Sequence, residues 1–197
     1  MRVLNFGSLN LDYVYQVDHF VRPGETLAAA SRAVKAGGKG LNQSVALARA
    51  GLPVWHAGCL GAGGEMLKDV DLSLASWLLV NEIEAEQFSG ETEPDSVWAK
   101  LHARYPALSL LITLGSRGSV AYRAAGGAAE RCRSEAVPVQ AVDTTAAGDT
   151  YTGYFIAGLM EGAPLRACMD RAGRAAAIAV TRPGAAESIP WKKELDA

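Results

Sequence analysis

In Asp143-Thr-Thr-Ala-Ala-Gly-Asp149-Thr150, three small residues and a carboxylate stand where a polar loop turns into an apolar helix. The first N–H groups of a helix have no partner inside it, and the helix dipole adds roughly half a positive charge there. Ala146, Ala147 and Gly148 carry nothing bulky enough to hold an anion away from those amides, so the string predicts a phosphate cradle. Asp149 beside it can take the proton of a hydroxyl, as phosphoryl transfer to an alcohol requires. Alone, the same string also reads as an Asx turn and a helix cap.

Outward from this string, helices are expected over about 148–160 and 165–180. Upstream, strand and helix signals alternate: strands at 3–7, 53–60, 77–80, 108–114 and 119–122 and near 136–139, and helices at 41–50, 82–88 and 97–103. Such alternation argues an α/β class with a mostly parallel sheet flanked by helices. Strand-like runs at 12–17 and 26–35, separated by the break Arg22-Pro-Gly-Glu25, predict a small β appendage over 12–35 on a core of 1–11 and 36–197.

With 197 residues and 49% hydrophobic content the chain can bury one substantial core. A net charge of −2 without a Lys/Arg cluster argues against nucleic acid or an anionic membrane as partner. Cys59, Cys132 and Cys168 form no CxxC pair, so neither a disulfide framework nor a zinc site is expected and a reducing cytoplasm fits. No signal-peptide pattern or membrane-length apolar run stands out. His19, His56 and His102 lack ligand spacing, no HExxH or Ser/His/Asp order appears, and Gly37–Gly40 lacks the Walker A spacing.

Four stretches, in this order, resemble the ribokinase family of carbohydrate kinases (the phosphofructokinase-B superfamily): Gly7-Ser-Leu-Asn10-Leu-Asp12, Gly37-Gly-Lys39-Gly-Leu-Asn42-Gln, Thr113-Leu-Gly-Ser-Arg-Gly118 and Asp143 through Thr150. Asn81-Glu-Ile-Glu84 fits the family's Asn-x-x-Glu motif, and the tract 175–191 looks like the ribokinase branch. The resemblance implies a ribokinase-like three-layer α/β/α fold, with residues 12–35 as an incomplete β lid. Only 38 residues separate Asn42 from Asn81, far fewer than the family uses, so an internal deletion is expected near Val70-Asp71, just after the helix-start-like Gly61-Ala-Gly-Gly-Glu-Met66.

The resemblance also implies ATP-dependent phosphorylation of a sugar hydroxyl, above all D-ribose to ribose 5-phosphate, with Mg2+ as cofactor and K+ as activator. By it, Asn10, Asp12, Gly38, Lys39, Asn42 and Asp149 meet the sugar, Asn81, Thr113, Gly115, Ser116, Gly118 and Gly148 meet ATP, and Ala146–Gly148 form the anion hole with Asp149 as base. Glu84 would hold Mg2+ through water, and Asp143, Thr145, Ala179, Arg182, Gly184 and Ser188 would hold K+. From residues alone, Asn10/Asp12 also read as a turn, Asn81/Glu84 as a capping box and 143–145 as a surface loop.

Two departures from the family pattern stand out. Ala146 occupies a position where many members have Gly, although its methyl leaves the N–H intact, and Gly173 stands where ribokinases can carry a ring that stacks on adenine. β lids in the family also serve as dimer surfaces, which raises a homodimer through this one. A non-catalytic nucleotide-binding remnant, a fructokinase and a nucleoside kinase are the alternative functions.

Overall fold

Alternate residues of a strand face opposite ways, and in the middle of this chain that alternation divides the core in two. In the computed structural model, which describes residues 3–8, 10–57, 75–124 and 129–195, strands β6 (Ser109–Thr113) and β7 (Ser119–Arg123) are buried almost throughout. Leu111 and Ala121 point into one apolar cluster, while Leu110, Ile112, Val120 and Tyr122 point into another.

Helices α1 (Lys39–Arg49), α4 (Ala147–Met160) and α5 (Leu165–Val180) cover the first cluster through Ala46, Tyr154, Phe155 and Met169. Helices α2 (Glu82–Ser89) and α3 (Pro94–Arg104) cover the second through Ala85, Val97 and Leu101. The result is the expected three-layer α/β/α arrangement.

The sheet is mixed among the described residues, rather than mostly parallel. Strand β5 (Trp77–Asn81) runs parallel to β6, but β7 is antiparallel to both β6 and β8 (Glu130–Ser134). The turn at Leu114–Gly118, closed by the Leu114 N–H to the Gly118 carbonyl (2.8 Å), is too short for a parallel crossover. A separate parallel pair joins β1 (Val3–Phe6) to β4 (Val54–Ala57).

Most elements lie where the sequence predicts them, with two shifts. The strand expected near 136–139 is β8 at 130–134 instead, and 135–141 is irregular. Val137 and Val139 have strand-forming side chains, but Pro138 between them cannot donate to a ladder. The return strand expected from 26 begins later, as β3 (Ser31–Gly37). The end of the strand expected at 53–60, the stretch 61–66, Cys59 and the junction at 70–71 lie outside the described residues.

β3 pairs antiparallel with β2 (Asn10–Gln16) in a hairpin exposed on both faces. Leu11, Tyr13, Tyr15 and Val34, all about half exposed, share one face, with the Arg32 guanidinium over the Tyr13 ring. Lys35, on the other face, pairs with Glu187 at 3.4 Å.

α1 and α4 cross in backbone contact at Gly153, where a Cβ would stand 2.4 Å from the Ala46 Cβ. Farther along α1, Arg49 donates to the Ala186 carbonyl (2.7 Å) and the Ile189 carbonyl and lies over the Trp191 ring, while the Tyr154 hydroxyl donates to the Pro190 carbonyl (2.8 Å). No helix among the described residues is long and apolar enough to cross a membrane.

α4 opens from Ala146 in the left-handed conformation (φ 62°), the one non-glycine residue among those described with positive φ. Its Cβ crowds the following carbonyl there. Ala146→Gly is therefore expected to raise stability by about 1 kcal/mol. Gly153→Val, which overpacks the α1/α4 crossing, is expected to lower it by about 1–3 kcal/mol. Urea denaturation of both variants checks the two signs.

Candidate active site

Asx chemistry shapes the loop before α4. One Asp143 carboxylate oxygen accepts the Thr145 N–H (2.9 Å) and the other accepts the Gly184 N–H (3.0 Å), so a single side chain ties 143–147 to the loop after α5. Hydrogen bonds from the Thr145 hydroxyl and N–H, with that of Gly184, hold the Asp143 carboxyl below its ordinary range. The left-handed turn at Ala146 then aims the chain into α4. The N–H groups of Ala146, Gly148 and Asp149 have no partner among the described residues, whereas the Ala147 N–H bonds the Thr144 carbonyl (3.2 Å). A Cβ on Gly148 would meet nothing within 4 Å, so this cluster of amides faces open space.

Asp149 sits in the first turn of α4 and is half-buried. Its two oxygens accept from Asn42 Nδ2 (3.1 Å) and Gln43 Nε2 (3.2 Å), both on α1. Burial pushes the Asp149 carboxyl above the ordinary carboxylate range, against the opposing pull of Asn42, Gln43 and the Lys39 charge. Asn42 is only 6% exposed, and its Oδ1 is buried without a hydrogen-bond partner among the described residues. That oxygen is left to accept from a donor these residues do not supply.

The first two motifs meet at Gly38, whose φ of 100° lets the chain turn into α1. A Cβ on Gly38 would lie 2.7 Å from the Ser8 carbonyl oxygen and 3.2 Å from the Asn10 nitrogen, and the Leu41 N–H donates to that carbonyl (3.2 Å). Asn10 and Asp12 follow on β2, and the Asp12 carboxylate occupies the space a side chain at Gly37 would fill. Asn5 supports this corner by donating to the Gly40 carbonyl and Ser44 Oγ, both at 2.8 Å.

The Asn81 and Glu84 pair forms a capping box at the start of α2: the Asn81 side chain accepts the Glu84 N–H (2.8 Å), and Glu84 Oε2 accepts the Asn81 N–H (3.0 Å). Glu84 Oε1 takes Lys39 Nζ at 3.0 Å. Burial raises the Glu84 carboxyl, but the Asn81 N–H and the Lys39 ammonium outweigh it and hold it below the ordinary range. This contact joins the Asn-x-x-Glu stretch to the Gly-Gly-Lys stretch, a pairing no sequence spacing signals.

A cleft of about 530 Å³ opens beside the α4 amides. Thr113, Gly115, Ser116, Gly118, Thr144, Ala147, Gly148 and Tyr151 are among the residues that line it. Segment 135–141 and the α5 residues Gly173, Ala176 and Val180 complete the lining. The sequence reading did not assign 135–141, Tyr151 or Gln43 to the site.

Around the loop that the resemblance assigns to K+ the fit is mixed. The Arg182 guanidinium pairs with Glu194 (2.7 Å), leaving its carbonyl as the group it can offer, and the Ala179 carbonyl accepts the Arg182 N–H (3.1 Å). Ser188 is buried and its hydroxyl donates to the Ala185 carbonyl (2.8 Å). Asp143, Thr145 and Gly184 are brought together by hydrogen bonds, whereas the Ser188 hydroxyl is directed to Ala185.

The five stretches thus gather around α1 and the start of α4. A family profile described as pfkB family carbohydrate kinase matches residues 2–71 and 65–192. A ribokinase of Schizosaccharomyces pombe is 37% identical over 132 residues, covering 64% of this chain and 41% of that one. The chain therefore spans about two-fifths of that relative's length. A ribokinase of Haemophilus influenzae is 25% identical over 297 positions spanning 95% of each chain. The 95% of this chain that aligns is about 187 residues, so about 110 of those positions have no counterpart here, and the two profile segments put the break at 65–71. The structure of Arabidopsis thaliana ribokinase complexed with ribose and ATP shares the fold, with a TM-score of 0.76 at 21% identity over 98% of this chain and 96% of that one. The chain belongs to the pfkB family of carbohydrate kinases.

Proposed function

We propose that the chain transfers the γ-phosphoryl group of ATP to a sugar hydroxyl, with D-ribose giving D-ribose 5-phosphate as the leading substrate. The observation that carries this reading is the half-buried Asp149 carboxylate, held by Asn42 and Gln43 beside the unpaired amides of Ala146 and Gly148. The sugar hydroxyl gives its proton to Asp149 as its oxygen bonds to the γ-phosphorus. The bond from that phosphorus to the β–γ bridging oxygen breaks, and ADP leaves. The unpaired amides stabilise charge on the transferring group. Asn42 Oδ1, buried and unpartnered, accepts from a sugar hydroxyl, and Asn10, Asp12 and Lys39 supply further polar contacts.

Mg2+, when bound, neutralises charge on the nucleotide phosphates. Glu84 would hold it through water, as a carboxylate whose Oε1 now faces only the exposed Lys39 ammonium. K+ would sit against Asp143, Thr145 and the carbonyls of Ala179, Arg182 and Gly184, each of which keeps a second lone pair, and would set the field at the start of α4.

Residues 12–35 act as the lid over the sugar, tethered to the core by Lys35–Glu187. Its outward apolar face of Leu11, Tyr13, Tyr15 and Val34 is the homodimer surface. The missing positions favour one rival, a remnant that holds nucleotide without turning it over, because sugar contacts from the absent stretch would be lost.

Asp149→Asn is expected to abolish ADP release in a coupled assay with ribose and K+ while leaving ATP binding within about threefold. Full activity in that variant would remove Asp149 from the role. ATP binding with no turnover of ribose, deoxyribose, fructose or adenosine would leave the remnant standing. The acid limb of kcat/KM should lie above the ordinary carboxylate pKa, since Asp149 must be ionised to act and burial raises it. Gln43→Ala removes a donor to the ionised form and should move that limb to higher pH still. Tyr15→Glu should turn a dimer into a monomer in sedimentation velocity; a wild-type chain sedimenting as a monomer would reject the dimer.

A further inference from the structure

Two close contacts fix how far α1 stands from its neighbours but not its roll about its own axis. Toward β1, a Cβ on Gly40 would stand 2.5 Å from the Gly7 carbonyl carbon, and toward α4, a Cβ on Gly153 would stand 2.4 Å from the Ala46 Cβ. Both are meetings of small residues, with no large side chain set into a groove to resist rotation. Roll is left to hydrogen bonds.

The site depends on that roll. Asn42 and Gln43 reach Asp149 from the start of α1 at 3.1 and 3.2 Å, at the long end of the N–H···O range. Side-chain atoms at a helix surface lie about 5–6 Å from the axis, so a roll of about 10° carries them about 1 Å. A shift of that size breaks either bond, and misplacement by about 1 Å can cost about 10²-fold in rate.

Asn5, which lies outside all five motif stretches, restrains the roll directly. It interrupts the run Val3-Leu-Asn-Phe6 of β1, where asparagine is a poor strand former. Its Nδ2 donates to the Gly40 carbonyl and to Ser44 Oγ, both at 2.8 Å. Residues 40 and 44 stand one turn apart on one face of α1, so the two bonds clamp the strand to the helix at two points. Arg49 acts at the opposite end of α1, on irregular chain.

Resting on the proposed role of Asp149 as proton acceptor, we infer that Asn5 is a positioning residue for the transfer, setting the roll of α1 at which Asn42 and Gln43 both meet the carboxylate. Its amide is spent on α1, so it acts on the reaction only through that helix. Stability alone does not demand it: in Asn5→Leu the Ser44 hydroxyl can turn to the Gly40 carbonyl four residues before it, and that oxygen keeps a donor.

Carboxyl-carbon NMR titration of the full chain tests the inference, with the Asp149 resonance identified by its loss in Asp149→Asn. Besides Asn42 and Gln43, the groups acting on Asp149 are the charges of Lys39 on α1 and Glu84 on α2, and Asn5→Leu replaces neither. In that variant the Asp149 midpoint should rise above the wild-type value, because the ionised carboxylate loses donors, while Glu161, which caps the far end of α4, should titrate as before. Asn5→Ser, one atom shorter and without bulk, should shift Asp149 in the same direction. Added to Gln43→Ala, Asn5→Leu should shift it less than it does alone, since the two act through one contact. In the coupled assay kcat should fall by about tenfold with KM for ATP within about twofold of wild type. An Asp149 midpoint unmoved in both Asn5 variants, an equal movement of Glu161, or full additivity with Gln43→Ala overturns the inference. A wild-type chain that phosphorylates no sugar sinks the kinase reading alone, and a raised Asp149 midpoint there still supports the clamp.

Discussion

A carboxylate taken partly out of water must be compensated, and here the compensation for Asp149 comes from two side-chain amides on another helix. That pair of hydrogen bonds fixes the first turn of α4 against the first turn of α1. Because α1 begins at Gly38, whose backbone rests on Ser8 and Asn10, the same contact draws the start of β2 to the site. Because α4 begins at the Asp143 loop, it also draws in the segment after α5. Remove the pairing of α1 with α4 and the motif stretches remain as separate loops.

The loops around this contact were legible in the sequence, because a positive-φ turn, a helix start and a buried carboxylate each leave a local composition. The helix start within 143–150, the Gly38 turn and the capping box at Asn81/Glu84 all lie where their residue types imply. What was not legible depends on contacts across the chain. Gln43 joins Asp149 through α1 packing, and Lys39 joins Glu84 over 45 positions of sequence. Segment 135–141 misled for a physical reason: its valines have the β-branched character of a strand, but they serve as a cleft wall and Pro138 interrupts any ladder. Ala146 misled more quietly, since a methyl that leaves the amide free still strains the left-handed turn that presents it.

The shortened chain changes which layer carries the fold. Among the described residues the strands form a β1–β4 pair and a β5–β8 sheet with no ladder between them. The joint is made by helices, where Ala46 of α1 and Ala50, which caps it, pack with Tyr154 and Ala157 of α4 and with Met169 and Ala172 of α5. Trp77 at the β5 edge adds an edge-to-face contact with Phe155. Small residues at this joint let backbones approach closely, which is a geometric requirement as much as an apolar one.

The grip of Arg49 on residues 186–191 has a mechanical meaning. α1 presents Asn42 and Gln43 to the acceptor pocket from its first turn and Arg49 to the returning chain from its last. A helix of this length transmits displacement as a stiff rod. Slackening the returning chain by a few tenths of an ångström would therefore tilt α1 and loosen its hold on Asp149, a residue on a different helix.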